Sequence, residues 1–392
     1  MNNFGHIHIH TEYSTLDGMC KLNELLQTAK NLGQKFIAVT DHGNTSAWWN
    51  AQKLGEKIGI KVLLGTEFYY ERENDKENGH LVAIAKSNKG IENIFKLQEY
   101  AYVENFYRKP RINWEILKQH KEGLIITSAC LASTFNQYII DGKLLEASAW
   151  AKKFKSEFGE DFYIEIQANQ LIEQYEANIR SIQIANNLKI KLIATNDVHY
   201  ILKQDAFAHE VLLALQVNKK MSDEKRMKFD TQDFWLKSEE EMYQSFKNIP
   251  SDILTIAMNN TSEIADKCNT FLEKGNYLPK FYNIPKNENE RSLLAKEINE
   301  GIKTKKYPKS KKYIEDVQHE LDVIDRNGYS GYFLIVQDYV TTARRNGIVV
   351  GDGRGSGAGS KVAYLTDITR VEPSKYDLLF ERFMADGRTP DL

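Results

Sequence analysis

Side chains that commonly bind metal ions recur at the ends of short apolar runs in the first half of the chain. These runs end in HIHIHT, TDHG, GTEF, TSAC and NDVHY. Imidazole, carboxylate and thiolate groups are the usual ligands of divalent transition metals, and there are too many of them here for a single ion. A lone histidine at a strand end is more often a hydrogen-bonded structural residue, but repetition at nearly every run favours ligation. The sequence therefore predicts a site for several metal ions.

The first of these motifs has the spacing that chelation requires. Alternate side chains of an extended strand share a face, so His8 and His10 can bind one ion together. His6 shares that face but lies farther from the strand end, and we expect it to pack or to support a ligand rather than to bind metal. Asp41, adjacent to His42, has the right type to orient a ligand imidazole, and a capping or turn role is nearly as open to it.

The elements that would position these motifs are short strands separated by helices. Seven runs rich in β-branched and aromatic residues lie near positions 5, 35, 61, 80, 124, 162 and 191. Stretches of helical periodicity lie between them, such as 21–32, 90–102 and 144–157. This alternation is typical of successive βα units on a parallel sheet, and a closed α/β barrel is the economical architecture. Because active sites of such barrels form at the C-terminal ends of the strands, we expect the separate motifs to meet there.

Length and composition exclude several classes of protein. The chain has 392 residues, 42% hydrophobic and 27% charged, which fits two globular domains or a barrel with an appendage. No apolar run approaches the roughly 20 residues of a membrane helix, and the N-terminal residues lack a secretory pattern. Three scattered cysteines form no disulfide framework, so we expect a cytoplasmic location. The net charge of −2 and the basic stretch 303–312 permit a nucleic-acid partner without demonstrating one.

A glycine-rich segment near the end of the chain indicates a second function. In GDGRGSGAGSKVAYL, residues 351–365, five glycines in nine residues precede a stretch of helical character. Glycines allow close approach to backbone N–H groups, and the N-terminus of a following helix adds partial positive charge, so a di- or triphosphate is the expected ligand. The pattern is neither a Walker A motif nor a dinucleotide-binding fingerprint. A flexible linker is the alternative interpretation.

The early motifs together resemble a known family. FGHIHIHTEYSTLDG, AVTDHGN, LLGTEFY, HLVAIAK, TSAC and TNDVHY are similar to successive motifs of the PHP phosphoesterase domain of family C DNA polymerases. The resemblance implies an α/β fold, a PHP-type distorted (β/α)7 barrel, that holds up to three Zn2+ or Mn2+ ions. Carried over residue by residue, it implies nine metal ligands: His8, His10, Asp17, His42, Glu67, His80, Cys130, Asp197 and His199. Because the set is intact, the resemblance also implies metal-dependent 3′–5′ exonuclease activity.

Three later segments extend the resemblance. GYFLIVQDYV, GRGSGAGS and YDLLFERF resemble, in this order, the opening of the palm of bacterial replicative DNA polymerase III alpha subunits. The resemblance implies an α+β, nucleotidyltransferase-like palm fragment of a DNA-directed DNA polymerase, which uses DNA and deoxynucleoside triphosphates. Arg354, Gly355, Ser356 and Arg382 would then contact the phosphates of the incoming nucleotide. The implied domains are a PHP barrel at 1–270, a helical and basic connector at 271–327, and an incomplete palm at 328–392.

The end of the sequence departs from this family pattern. The palm of the family continues through a Pro-Asp-x-Asp-x-Asp run, whereas Asp391 is followed only by Leu392. Asp391 fits the first catalytic aspartate, but one carboxylate cannot hold the two Mg2+ ions of nucleotidyl transfer. We therefore expect a C-terminal polymerase fragment to complete the palm and to provide contacts with the sliding clamp and other replisome subunits. A split gene, an intein break and an incompletely predicted gene all fit this expectation.

Two functional classes are compatible with the barrel motifs. The chain is either the N-terminal part of a replicative DNA polymerase or a stand-alone PHP hydrolase of small phosphate esters such as histidinol phosphate. The GRGSGAGS segment favours the polymerase, since a small-molecule phosphatase has no use for a triphosphate-binding entrance. A non-catalytic assembly module would have lost ligands, and the expected set is complete.

Overall fold

The chain divides into two compact units, residues 1–273 and 274–392. The structure is a computed structural model that describes residues 4–72, 78–229, 231–275, 279–353 and 355–385. Among these residues, no helix combines the length and the apolar character needed to cross a bilayer.

The described residues of the first unit contain one sheet of eight strands. In chain order the strands are β1 (Phe36–Val39), β2 (Lys61–Glu71), β3 (Asn78–Ala85), β4 (Phe106–Tyr107), β5 (Lys109–Ile112), β6 (Leu124–Thr127), β7 (Phe162–Gln167) and β8 (Lys191–Thr195). Their spatial order is β4-β5-β2-β3-β6-β7-β8, and β1 pairs in parallel with β2. Every residue of β1, β6 and β7 is buried, as expected for strands that are covered on both faces.

The N-terminal segment closes this sheet into a barrel. On one side, the amide of Ala38 donates to the carbonyl of His6 at 2.8 Å. On the other side, the amide of His10 donates to the carbonyl of Val198 at 2.7 Å. The segment therefore lies between β1 and the residues that follow β8. With β1, β2, β3, β6, β7 and β8 it makes a ring of seven extended segments, as the expected (β/α)7 barrel requires.

One strand runs against the predicted direction. The alternation of runs favoured parallel βα units throughout, but β3 is antiparallel to both of its neighbours, β2 and β6. The cause is the short connection 72–77 between β2 and β3, since a parallel crossover needs a dozen or more residues. The barrel is therefore distorted at this point, where a strand pair replaces one βα unit.

β4 and β5 form a hairpin outside the ring. β2 is long enough to pair twice on the same edge: β1 lies beside its first half, whereas Arg111 of β5 pairs with Tyr69 in its second half. The hairpin therefore extends the sheet at the end of β2 that carries Glu67 and Tyr69.

Helices cover the outside of the barrel. They are α1 (Leu22–Asn31), α2 (Trp48–Ile58), α3 (Asn88–Val103), α4 (Trp114–Gln119), α5 (Thr134–Ile140), α6 (Leu144–Phe158), α7 (Ile172–Leu188), α8 (Ala206–Gln216), α9 (Glu239–Ser245) and α10 (Ser251–Lys267). The predicted helices at 21–32, 90–102 and 144–157 are confirmed as α1, α3 and α6. α1 illustrates the cause, because Leu22, Leu25, Leu26 and Ala29 are buried at the spacing of one helical face.

In its described residues, the second unit has helices and 3₁₀ turns but no strand longer than a single bridge residue at Ala385. The helices are α11 (Glu290–Thr304), α12 (Lys311–Arg326), α13 (Ser330–Arg345) and α14 (Lys361–Leu365), and the turns are Gly355–Gly359, Pro373–Tyr376 and Phe380–Arg382. The strands expected of an α+β palm fragment are thus not represented in this described part.

Much of the segment 271–327, expected as a separate connector, belongs to the core of the second unit. Leu294 of α11 and Leu321 of α12 are buried in one apolar cluster with Phe333 of α13. The apolar residues of α11 and α12 recur at helical spacing, so each helix has one face to bury. The basic stretch 303–312 connects these two helices within the unit.

Candidate metal centre

The nine side chains predicted as ligands lie together at the ends of the barrel strands. His8 and His10 are on the N-terminal segment, Asp17 is in the next loop, His42 follows β1, Glu67 is in β2, His80 is in β3, Cys130 follows β6, and Asp197 and His199 follow β8. Close contacts connect all nine into one cluster. The structure therefore brings together residues that the sequence spreads over half of the chain.

Glu67 lies at the centre of this cluster. Its Oε2 is 2.9 Å from Nδ1 of His42, 3.1 Å from Nδ1 of His80 and 3.5 Å from Nε2 of His10. Its Oε1 is 3.2 Å from Nε2 of His8. One carboxylate thus faces four imidazole nitrogens, so Glu67 and these histidines would together hold divalent ions.

Two aspartates and the thiol complete the cluster on its other sides. Oδ1 of Asp197 is 3.3 Å from Nε2 of His8 and 3.1 Å from Nε2 of His10. Oδ2 of Asp17 is 3.1 Å from Nε2 of His42. The two remaining predicted ligands also adjoin the cluster: Nδ1 of His199 is 3.7 Å from Oδ1 of Asp197, and Sγ of Cys130 is 3.3 Å from Nδ1 of His80.

Several of these converging atoms have no hydrogen-bond partner. The buried, unpartnered atoms of the cluster are Nε2 of His8, Nε2 of His10, Oδ1 of Asp17, Nδ1 of His42, Oε2 of Glu67 and Oδ1 of Asp197. Each buried polar group left unpaired costs about 1–3 kcal/mol, so their accumulation in one place is explained if they share metal ions. Three triplets have ligand atoms within 4.8 Å of one another: His8–His10–Asp197, His10–His42–His199 and His42–Glu67–His80. The residues present therefore fit up to three divalent ions.

Burial and neighbouring charges set the protonation of the cluster. Burial and the imidazoles of His42 and His199 lower the pKa of His10 to about 3. Burial opposes the charge of His42, but Asp17 and Glu67 raise its pKa to about 10. Burial also opposes the ionised form of Glu67, yet the surrounding imidazoles hold its pKa well below its usual range. A neutral His10 and an ionised Glu67 are the forms that bind a cation.

The sequence did not reveal the carboxylate that contacts His8 on the side of its ring that faces away from the cluster. Oε2 of Glu165, in β7, lies 3.0 Å from Nδ1 of His8 and accepts a hydrogen bond from Oγ1 of Thr195 at 2.6 Å. Thr127 donates to the other oxygen of Glu165. These bonds fix the ring so that Nε2 of His8 faces the cluster. The available signal was an acid inside the fully buried run FYIEIQ, because a buried carboxylate requires partners.

His10 is held in the same way through a serine. Nδ1 of His10 lies 3.2 Å from Oγ of Ser14, which donates to Oδ1 of Asp41 at 2.6 Å. Asp41 also accepts hydrogen bonds from the amide and the hydroxyl of Thr11, at 2.7 and 2.8 Å. Asp41 therefore supports the ring of His10 through Ser14, and it anchors the turn after the first extended segment. Both of the roles left open for Asp41 by the sequence are present.

His6 packs beneath the cluster residues of its own segment. Its Nε2 lies 2.8 Å from the carbonyl oxygen of Lys237, and its ring meets Phe4 edge to face at 4.8 Å between centroids. Burial lowers the pKa of His6 to about 3, so the ring is neutral. This environment agrees with the expected packing role.

Comparisons with known proteins connect the two units to one family. A PHP domain family model matches residues 6–169, and a model described as the bacterial DNA polymerase III alpha NTPase domain matches 292–392. The DNA polymerase III subunit alpha of Aquifex aeolicus is 39% identical over 414 residues, which cover 99% of this chain and 36% of the relative. The DNA polymerase III subunit alpha of Treponema pallidum is also 39% identical, over 98% of this chain and 33% of the length of that relative. Along nearly all of its length, this chain is therefore similar to part of the DNA polymerase III alpha subunits.

The chain spans about a third of the length of these alpha subunits. Among solved structures, an amidohydrolase from Chromobacterium violaceum aligns with 51% of this chain and 88% of its own, at 13% identity and a TM-score of 0.35.

The nucleotide-binding residues implied by the alpha-subunit resemblance are described only in part. Arg354 and Asp391 lie outside the described residues. Gly355 and Ser356 belong to the 3₁₀ turn Gly355–Gly359, and Arg382 belongs to an exposed turn. These two turns approach closely: a Cβ placed on Gly359 would lie 2.7 Å from the carbonyl oxygen before the second turn. The structure thus places Ser356 and Arg382 on neighbouring turns.

The N-terminus of α14 does not have the free amides expected for a phosphate. The carboxylate of Glu320 accepts hydrogen bonds from the amides of Lys361 and Val362 at 3.1 and 3.0 Å, and from Oγ of Ser360 at 2.8 Å. Oγ of Ser360 accepts from the amide of Ala363 at 3.0 Å. An anion at a helix N-terminus is favourable, and here the protein supplies that anion itself. The first amides of α14 are therefore not free to bind a phosphate in this structure.

Proposed function

We propose that the barrel is a metal-dependent 3′–5′ exonuclease that cleaves phosphodiester bonds of DNA. The observation that carries this proposal is the set of buried, unpartnered nitrogen and oxygen atoms that converge on Glu67. The proposed ions are Zn2+ or Mn2+, up to three, held by the nine predicted ligands. When bound, such ions supply an activated water and neutralise the charge that develops on the phosphate.

The residues of the barrel prepare the site for this chemistry. Glu165 and the Ser14–Asp41 pair hold His8 and His10, so that Nε2 of each ring stays directed at the cluster. Glu67 places one carboxylate among several imidazoles, as a residue shared between ions does. A protein nucleophile is not required, because the water is the attacking group.

The first test combines metal content with cleavage. The wild-type chain is analysed for bound metal and incubated with a 3′-labelled single-stranded oligonucleotide, beside a variant with His8→Ala and Asp197→Ala. We expect two or three ions per chain in the wild type. The variant should lose its bound ions and should also lose cleavage. The exposed His319→Ala serves as the matched control and should behave as wild type. A metal-free wild type that cleaves nothing would overturn the proposal.

For the second unit, we propose that it forms the start of a polymerase palm in DNA replication. Ser356 and Arg382, on neighbouring turns, support contact with the phosphates of a deoxynucleoside triphosphate, together with Gly355 and Arg354. Asp391 is proposed as the first catalytic aspartate of a palm that binds two Mg2+ ions once it is complete. The match of 292–392 to a polymerase family model supports this assignment over a stand-alone phosphoesterase.

The proposed partners follow from this assignment. They are DNA, deoxynucleoside triphosphates, the remaining part of the polymerase, and through that part the sliding clamp and other replisome subunits, in the cytoplasm. The test is primer extension by this chain alone and by this chain joined to a C-terminal polymerase part. Extension should require the joined form, and Arg382→Ala in it should raise KM for the nucleotide. If the joined protein does not extend a primer, the assignment is contradicted.

A further inference from the structure

The metal cluster is open to solvent on one side. The side chains of His80, Asp17 and His42 are 19%, 14% and 12% exposed, whereas those of His10 and Glu67 are 0% exposed. Among the described residues, the exposed edge of the cluster is formed by His80, Asp17 and His42, together with Asp197 at 11%. A phosphodiester can therefore reach the cluster over this edge.

The hairpin of β4 and β5 adjoins this exposed edge. The ring of Tyr69 lies 5.9 Å from the ring of His42 and 5.5 Å from that of His80, between centroids. Nζ of Lys109, in β5, lies 5.1 Å from the Tyr69 ring. A Cβ on Gly43, the residue after His42, would lie 3.2 Å from Pro110 in the hairpin. Two separate contacts thus connect the hairpin to the accessible ligands.

The base of the hairpin is anchored while its tip is exposed. Arg111 is largely buried, donates to Oδ1 of Asn105 at 3.1 Å and lies 3.6 Å from Glu71. Phe106 and Tyr107, in contrast, are 56% and 40% exposed. Because consecutive strand residues point to opposite faces, the hairpin exposes one aromatic ring on each face, and Tyr107 shares its face with its cross-strand partner Lys109. An exposed ring on a fixed element is suited to binding a flat ligand group.

The charge of the hairpin tip indicates which class of ligand would bind there. Arg108 follows Tyr107, adopts φ +60° and places its guanidinium 5.4 Å from the Tyr107 ring. Lys109 follows directly, and the one carboxylate between 102 and 112 is that of Glu104. Exposed aromatic rings beside cations form the stacking and phosphate contacts of single-stranded nucleic acid, whose unpaired bases offer their faces.

We propose that residues 106–109 form a platform that receives a single strand of nucleic acid and leads its 3′ end to the exposed edge of the metal cluster. A base stacks on Tyr107, on the face that carries Lys109, and Arg108 and Lys109 neutralise backbone phosphates. The inference rests on the proposed exonuclease function, because that function supplies the reason for a strand to enter here. A duplex offers no free base faces, so the platform selects unpaired ends.

The test measures binding without cleavage. The full chain is titrated, in a metal-free buffer with chelator, into a 5′-fluorescein-labelled single-stranded oligothymidylate, and anisotropy is followed. Tyr107→Ala should weaken binding by about fivefold or more, the effect of one lost base–aromatic contact. The matched control Tyr175→Ala removes an equally exposed tyrosine from α7 and should not change the affinity.

Salt dependence tests the cationic half of the platform. Lys109→Ala should reduce the slope of log K against log salt by about 0.7, which corresponds to one phosphate contact on a single strand. Lys152→Ala, on the exposed side of α6, is the control and should keep the wild-type slope. If the wild type and both hairpin variants have the same affinity and the same salt slope, the platform proposal is overturned. It is also overturned if the control variants lose as much affinity or slope as the hairpin variants do.

Cleavage assays separate this inference from the proposed function. If the hairpin variants bind weakly but wild type cleaves nothing, the platform stands and the exonuclease proposal fails. If wild type cleaves and the hairpin variants cleave equally well at strand concentrations below KM, the exonuclease stands and the platform fails. Preference of the hairpin for a duplex, or absence of any strand binding by wild type, also overturns the platform.

Discussion

At the scale of single residues, the metal centre depends on side chains that hold other side chains. His8 and His10 each direct Nε2 at the cluster and use Nδ1 for a partner outside it, Glu165 or Ser14. Such partners fix the tautomer and the orientation of a ligand ring before any ion binds. The affinity of the centre should therefore be sensitive to residues that touch no ion.

Ser14→Ala tests this sensitivity. The substitution removes the hydroxyl between His10 and Asp41, so the ring of His10 loses its orienting partner. We expect metal affinity to fall by about 10- to 100-fold, the usual effect of losing such a partner. Competition of the purified chain with a metal-sensitive dye measures it, and the exposed Ser46→Ala is the control. Unchanged affinity in Ser14→Ala would show that the serine does not position the ring.

The nine ligands were expected from the sequence because its motifs resemble those of a known family, and they stay a prediction. The side chains that support them were harder to foresee. Glu165 lies 157 positions after His8, and their contact exists only because the N-terminal segment lies beside the last strands of the closed ring. No local pattern carries that information. Asp41 was visible as a candidate, but the serine that connects it to His10 was not.

At the scale of elements, the hydrogen bonds of a short helix depend on one buried carboxyl. Glu320 of α12 binds the first turn of α14 through three donors. Burial raises the pKa of Glu320 from its ordinary 4.5 to about 7, although these donors and Lys361 favour the ionised form. The sequence showed the glycines and the helix after them, but it could not show that α12 supplies the anion at the helix start.

Glu320→Gln should loosen α14. A glutamine amide nitrogen cannot accept a hydrogen bond, so at least one donor is left unpaired at a cost of about 1–3 kcal/mol. Hydrogen exchange of the segment 355–365, measured by mass spectrometry on the full chain, should accelerate accordingly. The exposed Glu315→Gln on the same helix is the control. Equal exchange in both variants would contradict the capping role.

The raised pKa of Glu320 also predicts a direction with pH. Between about 4.5 and 7 the folded state holds a proton that the unfolded state has released, so stability falls as pH rises through this interval. Protection of segment 355–365, corrected for the intrinsic exchange rate, should therefore decrease from pH 5 to pH 7. This dependence should be absent in Glu320→Gln. The same dependence in both proteins would assign it to another group.

At the scale of the whole molecule, tryptophan fluorescence reports on the first unit without the second. All five tryptophans lie before residue 274, and hence in the first unit: Trp48, Trp49, Trp114, Trp150 and Trp235. The division into two units was foreseeable from the length of the chain, since a barrel of about 270 residues leaves more than a hundred for another core. The inclusion of α11 and α12 in the second core was not, because amphipathic helices have the same pattern whichever core they join.

Metal removal should destabilise the first unit. Ions that bind only the folded barrel stabilise it by about 2.7 kcal/mol per site when the free ion is a hundredfold above Kd. Urea unfolding followed by tryptophan fluorescence should therefore shift to lower urea when chelator is added. The variant with His8→Ala and Asp197→Ala should show no such shift. If the urea midpoint of wild-type unfolding does not change when chelator is added, ion binding by the folded barrel is contradicted.

The closing of the ring by the N-terminal segment has a consequence for synthesis on the ribosome. His10 pairs with Val198, so the first strand of the barrel is made long before its last neighbour exists. At about 5–20 residues per second, the nascent chain carries this strand unpaired on one side for roughly ten to forty seconds. His8 and His10 emerge first, whereas Asp197 and His199, the last of the predicted ligands, emerge more than 180 residues later. Translation therefore sets the order of events, because the ribosome must deliver about 200 residues before the complete set of predicted ligands exists.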